Sequence, residues 1–396
     1  MPQPFLSLCM IVKNEAHNLP RCLSLVQPYV EEMVIIDTGS EDGTPEVAAS
    51  YGAKVSYFSW CDDFAAARNY ALEQVSGQWV LMLDADEELV LEVEDLIATI
   101  KSNDSIKGNN STTIINKDST QILNPLATLA FALEYEEMID SEKRTPSYRI
   151  CLFRNLPEFR YEGEYHEALQ YQGKGVPSQN LTYLSGLKIQ HYGFRPEVLH
   201  AKHLTRSIPM LERMREKNGL SIRLLHCLAA MYADVEQMEQ AVACSGEIFE
   251  RLMPNLMTGT PPEDFDFIPC TVFSLGVQSL QQEDYETARL LCQQGLEWCP
   301  NYPPLNYLTG LVVKNLGFAR GAIAYFEYCL TLIEEGSYYR GEPFDLIYAT
   351  TAPAFELGCI YQELGEIERA IASFTNALRF DPHYIPAQEQ LTLLKS

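Results

Sequence analysis

At 396 residues, with 46% apolar and 21% charged side chains, the chain is too long for one ordinary core and reads as two soluble domains, or one domain with a repeat array. Its formal charge of −25 opposes sequence-independent binding to nucleic acid and anionic membranes, which rely on basic patches. Eleven cysteines without a CxxC pair argue against a disulfide framework or structural zinc. No apolar run approaches the roughly 18 residues that span a bilayer, and the opening MPQPFLSLCM lacks an export signal, so a cytoplasmic location is expected.

In chain order, FLSLCMIV (5–12) and EMVIID (32–37) are short, apolar and partly β-branched, as in strands buried on both faces. AKVSYF and QWVLMLD continue the series. Between them, Thr44 before Pro45 predicts a helix N-cap with proline at the first helical position, and Gly52 and Gly77 stand where C-caps belong. This repeated βαβ pattern predicts a parallel, doubly wound sheet. Residues 101–123 are polar and aperiodic and are expected to form a mobile surface insertion. SYRICLFRN and LKIQHYGF then return to strand character, so residues 1–195 form the first domain, with a linker helix over 196–221. Arg195, Lys202, Arg206, Arg213, Arg215 and Lys217 gather around that linker, where a solvated helix face and a phosphate-facing role fit equally.

Residues 222–396 have a different period. Gly276 and Gly310 lie 34 residues apart, as do Ala288 and Ala322, and Gly358, Tyr361, Ala370, Phe374, Ala377 and Pro382 have the spacing of a tetratricopeptide helix pair. Four units are expected near 222–255, 269–302, 303–336 and 351–384, with inserts at about 256–268 and 337–350. Small residues let paired helices approach closely, and stacked pairs make a concave surface suited to an extended partner.

Ligands of open α/β sheets bind beyond the carboxyl ends of the strands. There the first strand runs into Lys13, Asn14 and Glu15, the second into Asp37 and Asp42, and the fourth into Asp84 and Asp86. Acids converging on one edge repel unless a cation or a donor-rich ligand offsets them. No GxGxxG or GxxxxGK[ST] is present, so bound phosphates need another neutraliser. Carboxylates holding Mg²⁺ or Mn²⁺ are suited to that task. On spacing alone, capping or loop solvation also accounts for the two aspartates.

The blocks LCMIVKNEAHNLPRCL, VIIDTGSEDGTPEVAASYGAKV, WCDDFAAARNYAL and GQWVLMLDADEEL strongly resemble the family 2 glycosyltransferases of the GT-A fold, especially their bacterial branch with tetratricopeptide (TPR) repeats. The resemblance implies a Rossmann-like α/β nucleotide-diphospho-sugar transferase domain followed by an all-α TPR array. It places Val12 and Glu15 at the base and ribose of the nucleotide, Asp37 at a uracil ring and Arg68 facing the nucleotide. Asp84 and Asp86 match the DxD motif, with Asp84 toward ribose or metal and Asp86 on the metal. His191 matches a late metal ligand, and Asp62 and Asp63 are shared with the branch without an assigned role. In FRYEGEYHEAL, Gly163 and His166 fall on an acceptor loop and Glu167 at the general base, with Glu164 and His166 as alternatives.

The implied reaction is metal-dependent, inverting transfer of a sugar from a nucleotide sugar, most simply a UDP-sugar, to an acceptor hydroxyl or thiol. The TPR array would dock an acceptor protein, peptide or glycan, or drive dimerisation. Two rivals are a TPR scaffold with an inactive nucleotide-sugar domain, and a nucleotidyl or phosphoryl transferase. The first would tend to lose the metal and base groups, and the second is disfavoured by the missing phosphate loop.

Overall fold

The computed structural model describes residues 2–93, 95–104, 112–116, 119–123, 128–138, 144–193, 196–263 and 267–395. The chain divides into two compact units, residues 1–139 with 146–199, and residues 140–145 with 200–396.

The first unit alternates β1 (Leu6–Val12), α1 (Leu19–Val26), β2 (Glu32–Asp37), α2 (Thr44–Ser50), β3 (Lys54–Tyr57), α3 (Phe64–Gln74) and β4 (Trp79–Met82). β5 (Glu87–Leu91), α4 (Leu96–Asp104), β6 (Thr112–Asn116), β7 (Ser119–Leu123), β8 (Ala130–Glu137) and β9 (Ser147–Arg154) follow. β10 (Phe159–Glu162), β11 (Ala168–Tyr171) and β12 (Leu181–His191) complete the strands. Eight of them form one sheet in the order β3-β2-β1-β4-β9-β8-β12-β5.

The β3-β2-β1-β4 half is parallel. The expectation of a fully parallel sheet fails beyond it, because β9 runs antiparallel to both β4 and β8, and β5 antiparallel to β12. Parallel neighbours need a long crossover, usually a helix, and no helix intervenes between β8 and β9 among the described residues. An apolar run buried on both faces carries no information about strand direction.

Side-chain alternation along β1 builds two cores. Leu6, Leu8, Met10 and Val12 pack with Leu19, Cys22, Leu23 and Val26 of α1 on one face. Cys9 joins Val34, Ile36, Ala65, Ala71 and Leu72 on the other. Two boundary expectations are corrected. Gly43, with φ +84°, is the N-cap of α2, and Thr44 is already helical. The Thr44 hydroxyl is drawn away from a capping role, accepting from the Glu15 N–H at 2.8 Å and donating to Asp42 at 2.5 Å. Gly52, at φ +83°, does follow the end of α2. Gly77 caps nothing, and instead a Cβ there would strike Ser7 Oγ. The region expected as an aperiodic insertion contains the end of α4 and the antiparallel β6-β7 hairpin, while residues 105–111, 117 and 118 lie outside the described residues.

The second unit is helical. The expected linker helix consists of α5 (Pro196–Lys202), a π-helical turn at His203–Ser207 and α6 (Ile208–Asn218). Arg215 of the basic group pairs with Glu247 at 2.5 Å, so that side chain serves packing, while Arg195 lies outside the described residues. Helix pairs follow: α7 (Ile222–Asp234) with α8 (Met238–Thr258), and α9 (Ile268–Gln281) with α10 (Tyr285–Trp298). α11 (Pro303–Asn315) then pairs with α12 (Ala319–Glu335), and α13 (Thr351–Glu363) with α14 (Ile367–Phe380), before the final α15 (Ile385–Lys395). The repeat glycines mark close approaches: a Cβ on Gly310 would lie 2.6 Å from the Phe326 ring, and one on Gly358 2.5 Å from Phe374. Among the described residues no helix is long and apolar enough to cross a membrane.

Candidate active site

The parallel register brings Val12 beside Asp37, so the carboxyl ends of β1 and β2 open onto one place. Val12 is buried, and its carbonyl accepts from the Thr38 N–H at 2.9 Å and the Thr38 hydroxyl at 3.0 Å. Asp37 is 3% exposed; its Oδ2 accepts from the Gly39 and Ser40 N–H groups, each at 3.0 Å. Its Oδ1 is buried with no hydrogen-bond partner, an acceptor whose desolvation is unmet within the chain. Glu15 accepts from Asn18 Nδ2 at 2.7 Å, and Asp42 accepts from the Ala16 and Thr44 N–H groups at 3.1 Å each, so these acids also brace the loops they sit on.

At the end of β4, charge is concentrated. Arg68 on α3, only 4% exposed, donates from Nη2 to Asp84 Oδ1 at 2.8 Å and from Nε to Glu167 Oε1 at 2.5 Å. Its Nη1 is buried without a hydrogen-bond partner. Arg149 of β9 pairs with the buried Glu87 and lies 3.6 Å from Asp84 Oδ2. Glu87 in turn accepts from the Asp84 N–H at 2.9 Å. Burial alone would favour a neutral Asp84, but Arg68 and Arg149 overcome it and hold the carboxyl far below the usual range.

The second aspartate meets a different partner. Because β12 runs antiparallel to β5 with His191 opposite Glu87, the end of β12 arrives at the turn that precedes β5. The Tyr192 N–H donates to the Asp86 carbonyl at 2.9 Å, and His191 Nε2 lies 3.5 Å from Asp86 Oδ1. Burial disfavours a charged imidazole here, yet the bond to Asp86 and the charges of Glu87 and Asp84 raise the His191 pKa. Gly193 borders both side chains: a Cβ there would strike Asp86 Oδ2 and lie 2.6 Å from His191 Nε2. Glycine thus keeps a cradle beside one carboxylate and one imidazole, donors that suit a divalent cation such as Mn²⁺. Among the described residues no group of three or more His, Cys, Asp or Glu is arranged to hold a metal. A diphosphate ligand would have to complete such a shell, the usual situation for Mg²⁺ at phosphate sites.

The loop before Glu167 is fixed onto α3. Asn69 Nδ2 donates to the Tyr161 carbonyl and its Oδ1 accepts from the Tyr161 N–H, both at 2.8 Å, and the Phe64 N–H donates to the Glu164 carbonyl at 3.0 Å. Gly163 at φ +102° and His166 at φ +53° turn the chain between these anchors. Glu167 reaches Arg68, whereas His166 is exposed against the Tyr165 ring at 4.9 Å. Asp63 caps α3 by accepting from the Ala66 N–H at 2.8 Å, and Asp62 accepts from Trp60 Nε1 at 2.9 Å, so this pair shapes the loop entering the helix.

Arg149, Glu87 and Gly193 escaped the sequence reading. An arginine inside the otherwise apolar run of SYRICLFRN, and a glycine two residues after His191, were the available signals.

The chain joins an α/β domain built on a mixed eight-stranded sheet to a helical repeat array. Residues 7–143 match the model described as Glycosyl transferase family 2, and residues 354–384 match Tetratricopeptide repeat. The chain thus carries a family 2 glycosyltransferase domain at its N-terminal end and TPR repeats toward its C-terminal end. It is 38% identical over 218 residues to a TPR repeat-containing protein of Synechococcus elongatus, covering 53% of this chain and 46% of that one. It is 24% identical over 215 residues to the SPbeta prophage-derived glycosyltransferase SunS of Bacillus subtilis, covering 53% and 45%. An uncharacterized glycosyltransferase of Rickettsia felis is 35% identical over 95 residues, 24% of this chain and 33% of that one. The chain spans about half the length, or less, of these curated relatives. Among solved structures, YrrB, a TPR protein with an unusual peptide-binding site, gives a TM-score of 0.33 at 17% identity over 46% of this chain and 81% of that one. MamA gives 0.32 at 16% identity over 43% and 85%.

Proposed function

We propose that the chain transfers a sugar from a nucleotide sugar to an acceptor hydroxyl or thiol with inversion, and that the donor is a UDP-sugar. The observation that carries the reading is the convergence of Asp37, Asp84, Asp86, Arg68, Glu167 and His191 around the carboxyl edge of one sheet. Asp37 Oδ1, buried without a partner, suits an N–H of a nucleobase such as uracil, beside Val12 and Glu15. Asp84 lies toward the nucleoside side, tied to Arg68 and Arg149.

Asp86 and His191 would hold Mn²⁺ or Mg²⁺. When bound, the cation supplies Lewis-acid stabilisation of the departing diphosphate. On the other side, Glu167 takes the proton from the acceptor as its oxygen or sulfur bonds to the anomeric carbon. The bond from that carbon to the diphosphate oxygen breaks, and its electron pair leaves with the nucleotide. Arg68 orients Glu167 for this step, and Gly163 and His166 line the loop that admits the acceptor. The TPR array is proposed to dock a protein or peptide acceptor or to mediate dimerisation.

The test is to incubate the protein with a panel of nucleotide sugars and Mn²⁺ or Mg²⁺, following release of nucleoside diphosphate. One donor is turned over by the wild type; Asp86→Ala loses metal-dependent turnover, and Glu167→Gln binds donor but does not transfer. Absence of metal-dependent binding to any nucleotide sugar would refute the enzyme reading and favour the scaffold alternative.

A further inference from the structure

We infer that Arg149 is a phosphate-binding residue of the donor site, contacting the diphosphate of the nucleotide sugar. The inference rests on the nucleotide-sugar reading above and adds a residue to it.

The sheet places Arg149 at the site. β9 lies antiparallel to β4, with Leu81 opposite Leu152, and the Arg149 guanidinium comes within 3.6 Å of Asp84 just past the end of β4. On its other side Arg149 pairs with Leu133 of β8. The guanidinium sits 5.5 Å from the centre of the Tyr135 ring, and that ring lies 5.7 Å from His191. Arg149, Tyr135 and His191 therefore form one row leading to the Asp86 cradle.

Of the two arginines in the cluster, Arg149 is the accessible one. The Arg68 side chain is 5% exposed and committed to Asp84 and Glu167 at 2.8 and 2.5 Å. The Arg149 side chain is 34% exposed, and its 3.6 Å approach to Asp84 is longer than a hydrogen bond. Its firm partner is Glu87, which leaves donors of the five-N–H fork for another acceptor. Phosphate oxygens suit that geometry. The chemistry also favours a cation: Asp84, Asp86, Glu87 and Glu167 crowd the edge, and the sequence has no GxGxxG or GxxxxGK[ST] motif to cradle a diphosphate.

The experiment is calorimetric titration of matched nucleoside and nucleoside diphosphate pairs, uridine with UDP first and the other bases after, with Mg²⁺ and with a chelator. Arg149→Gln is expected to raise the Kd for the diphosphate by ~10–100-fold, a loss of about 1.4–2.8 kcal/mol, with the nucleoside Kd unchanged. Arg149→Lys keeps the charge but not the fork and falls between the two. Because Arg149→Gln strands the buried Glu87, the double variant Arg149→Gln, Glu87→Gln is measured alongside and should show the same diphosphate-selective loss. Parallel weakening of nucleoside and diphosphate, or no loss for the diphosphate, would overturn the inference and leave Arg149 a counter-ion of Glu87. A wild type that binds no nucleotide at all removes the transferase reading itself, a result distinct from either.

Discussion

Replacing Arg68 with methionine removes the cation that two carboxylates share while keeping comparable bulk. The Arg68 side chain is 5% exposed, Glu167 12% and Asp84 32%. Removing one partner of a buried ion pair costs about 3–5 kcal/mol. Water reaches Asp84, so its share is discounted and the lower end, about 3 kcal/mol, is expected. For a unit of this size that corresponds to a fall of roughly 6–12 °C in Tm. Denaturant unfolding followed by tryptophan fluorescence measures the loss, and adding Glu167→Gln to Arg68→Met should restore part of it. The pH dependence has a definite sign. Asp84 is held below its unfolded pKa by Arg68 and Arg149 against the push of burial, so its stabilisation exists above about pH 4 and is lost only in stronger acid. Because removing Arg68 lets burial push the Asp84 carboxyl back up, the difference between wild type and Arg68→Met should shrink steadily as the pH is lowered from 7 into acid. A loss under about 1 kcal/mol, or one that Glu167→Gln fails to relieve, would refute the claim that Arg68 binds these carboxylates together.

At the amino end of β2, Glu32 is 7% exposed; burial opposes its charge, but Lys54, Ser7 and Ser76 win and lower its pKa to about 2. Stability should fall as pH drops from about 4.5 toward 2, and Glu32→Gln should cost about 2 kcal/mol at pH 7 but little in strong acid, read by urea titration across pH. Gly358→Ala sets a Cβ 2.5 Å from the Phe374 ring and should destabilise the helical unit by ~1–2 kcal/mol, the overpacking loss exceeding the helix-propensity gain, as measured by circular dichroism melting. Gly193→Ala drives a methyl into Asp86 and His191; it should weaken the metal-dependent part of nucleotide affinity about tenfold or more while leaving metal-free affinity unchanged, and an equal loss in both would argue against the cradle.

Much of the fold could be read from local pattern. β1 and β2 are continuous apolar runs because helices cover both faces of the sheet, and the repeat glycines are spaced as they are because Leu308, Phe326 and Phe374 leave no room for a Cβ. Strand direction was hidden, since residue pattern alone does not tell a parallel from an antiparallel strand, and β9 runs against β4. A turn residue misled where other bonds claimed its side chain, as with Thr44, whose hydroxyl serves the distant Glu15 N–H and the neighbouring Asp42. The acids of the site were visible at strand ends, whereas what surrounds them was not. Arg149 comes near Asp84 because β9 lies against β4 with the opposite direction, and the importance of Gly193 lies in an absent methyl group.

The return of β12 against β5 also bears on how such a domain can change length. The distance between Asp86 and His191 is set by five ladder pairs, from Leu187 with Leu91 to His191 with Glu87. The chain between the two strands contributes β8, which also pairs with β12, but the hairpin it carries forms a separate two-stranded sheet and adds no pair to that ladder. Its β6-β7 hairpin could be lengthened, trimmed or exchanged in a relative without moving either side chain, provided the last strand finds the same register. Shifting that register by one residue would point His191 to the opposite face of the sheet. The separation of Asp86 and His191 is therefore tolerant of insertions in that hairpin and intolerant of slippage.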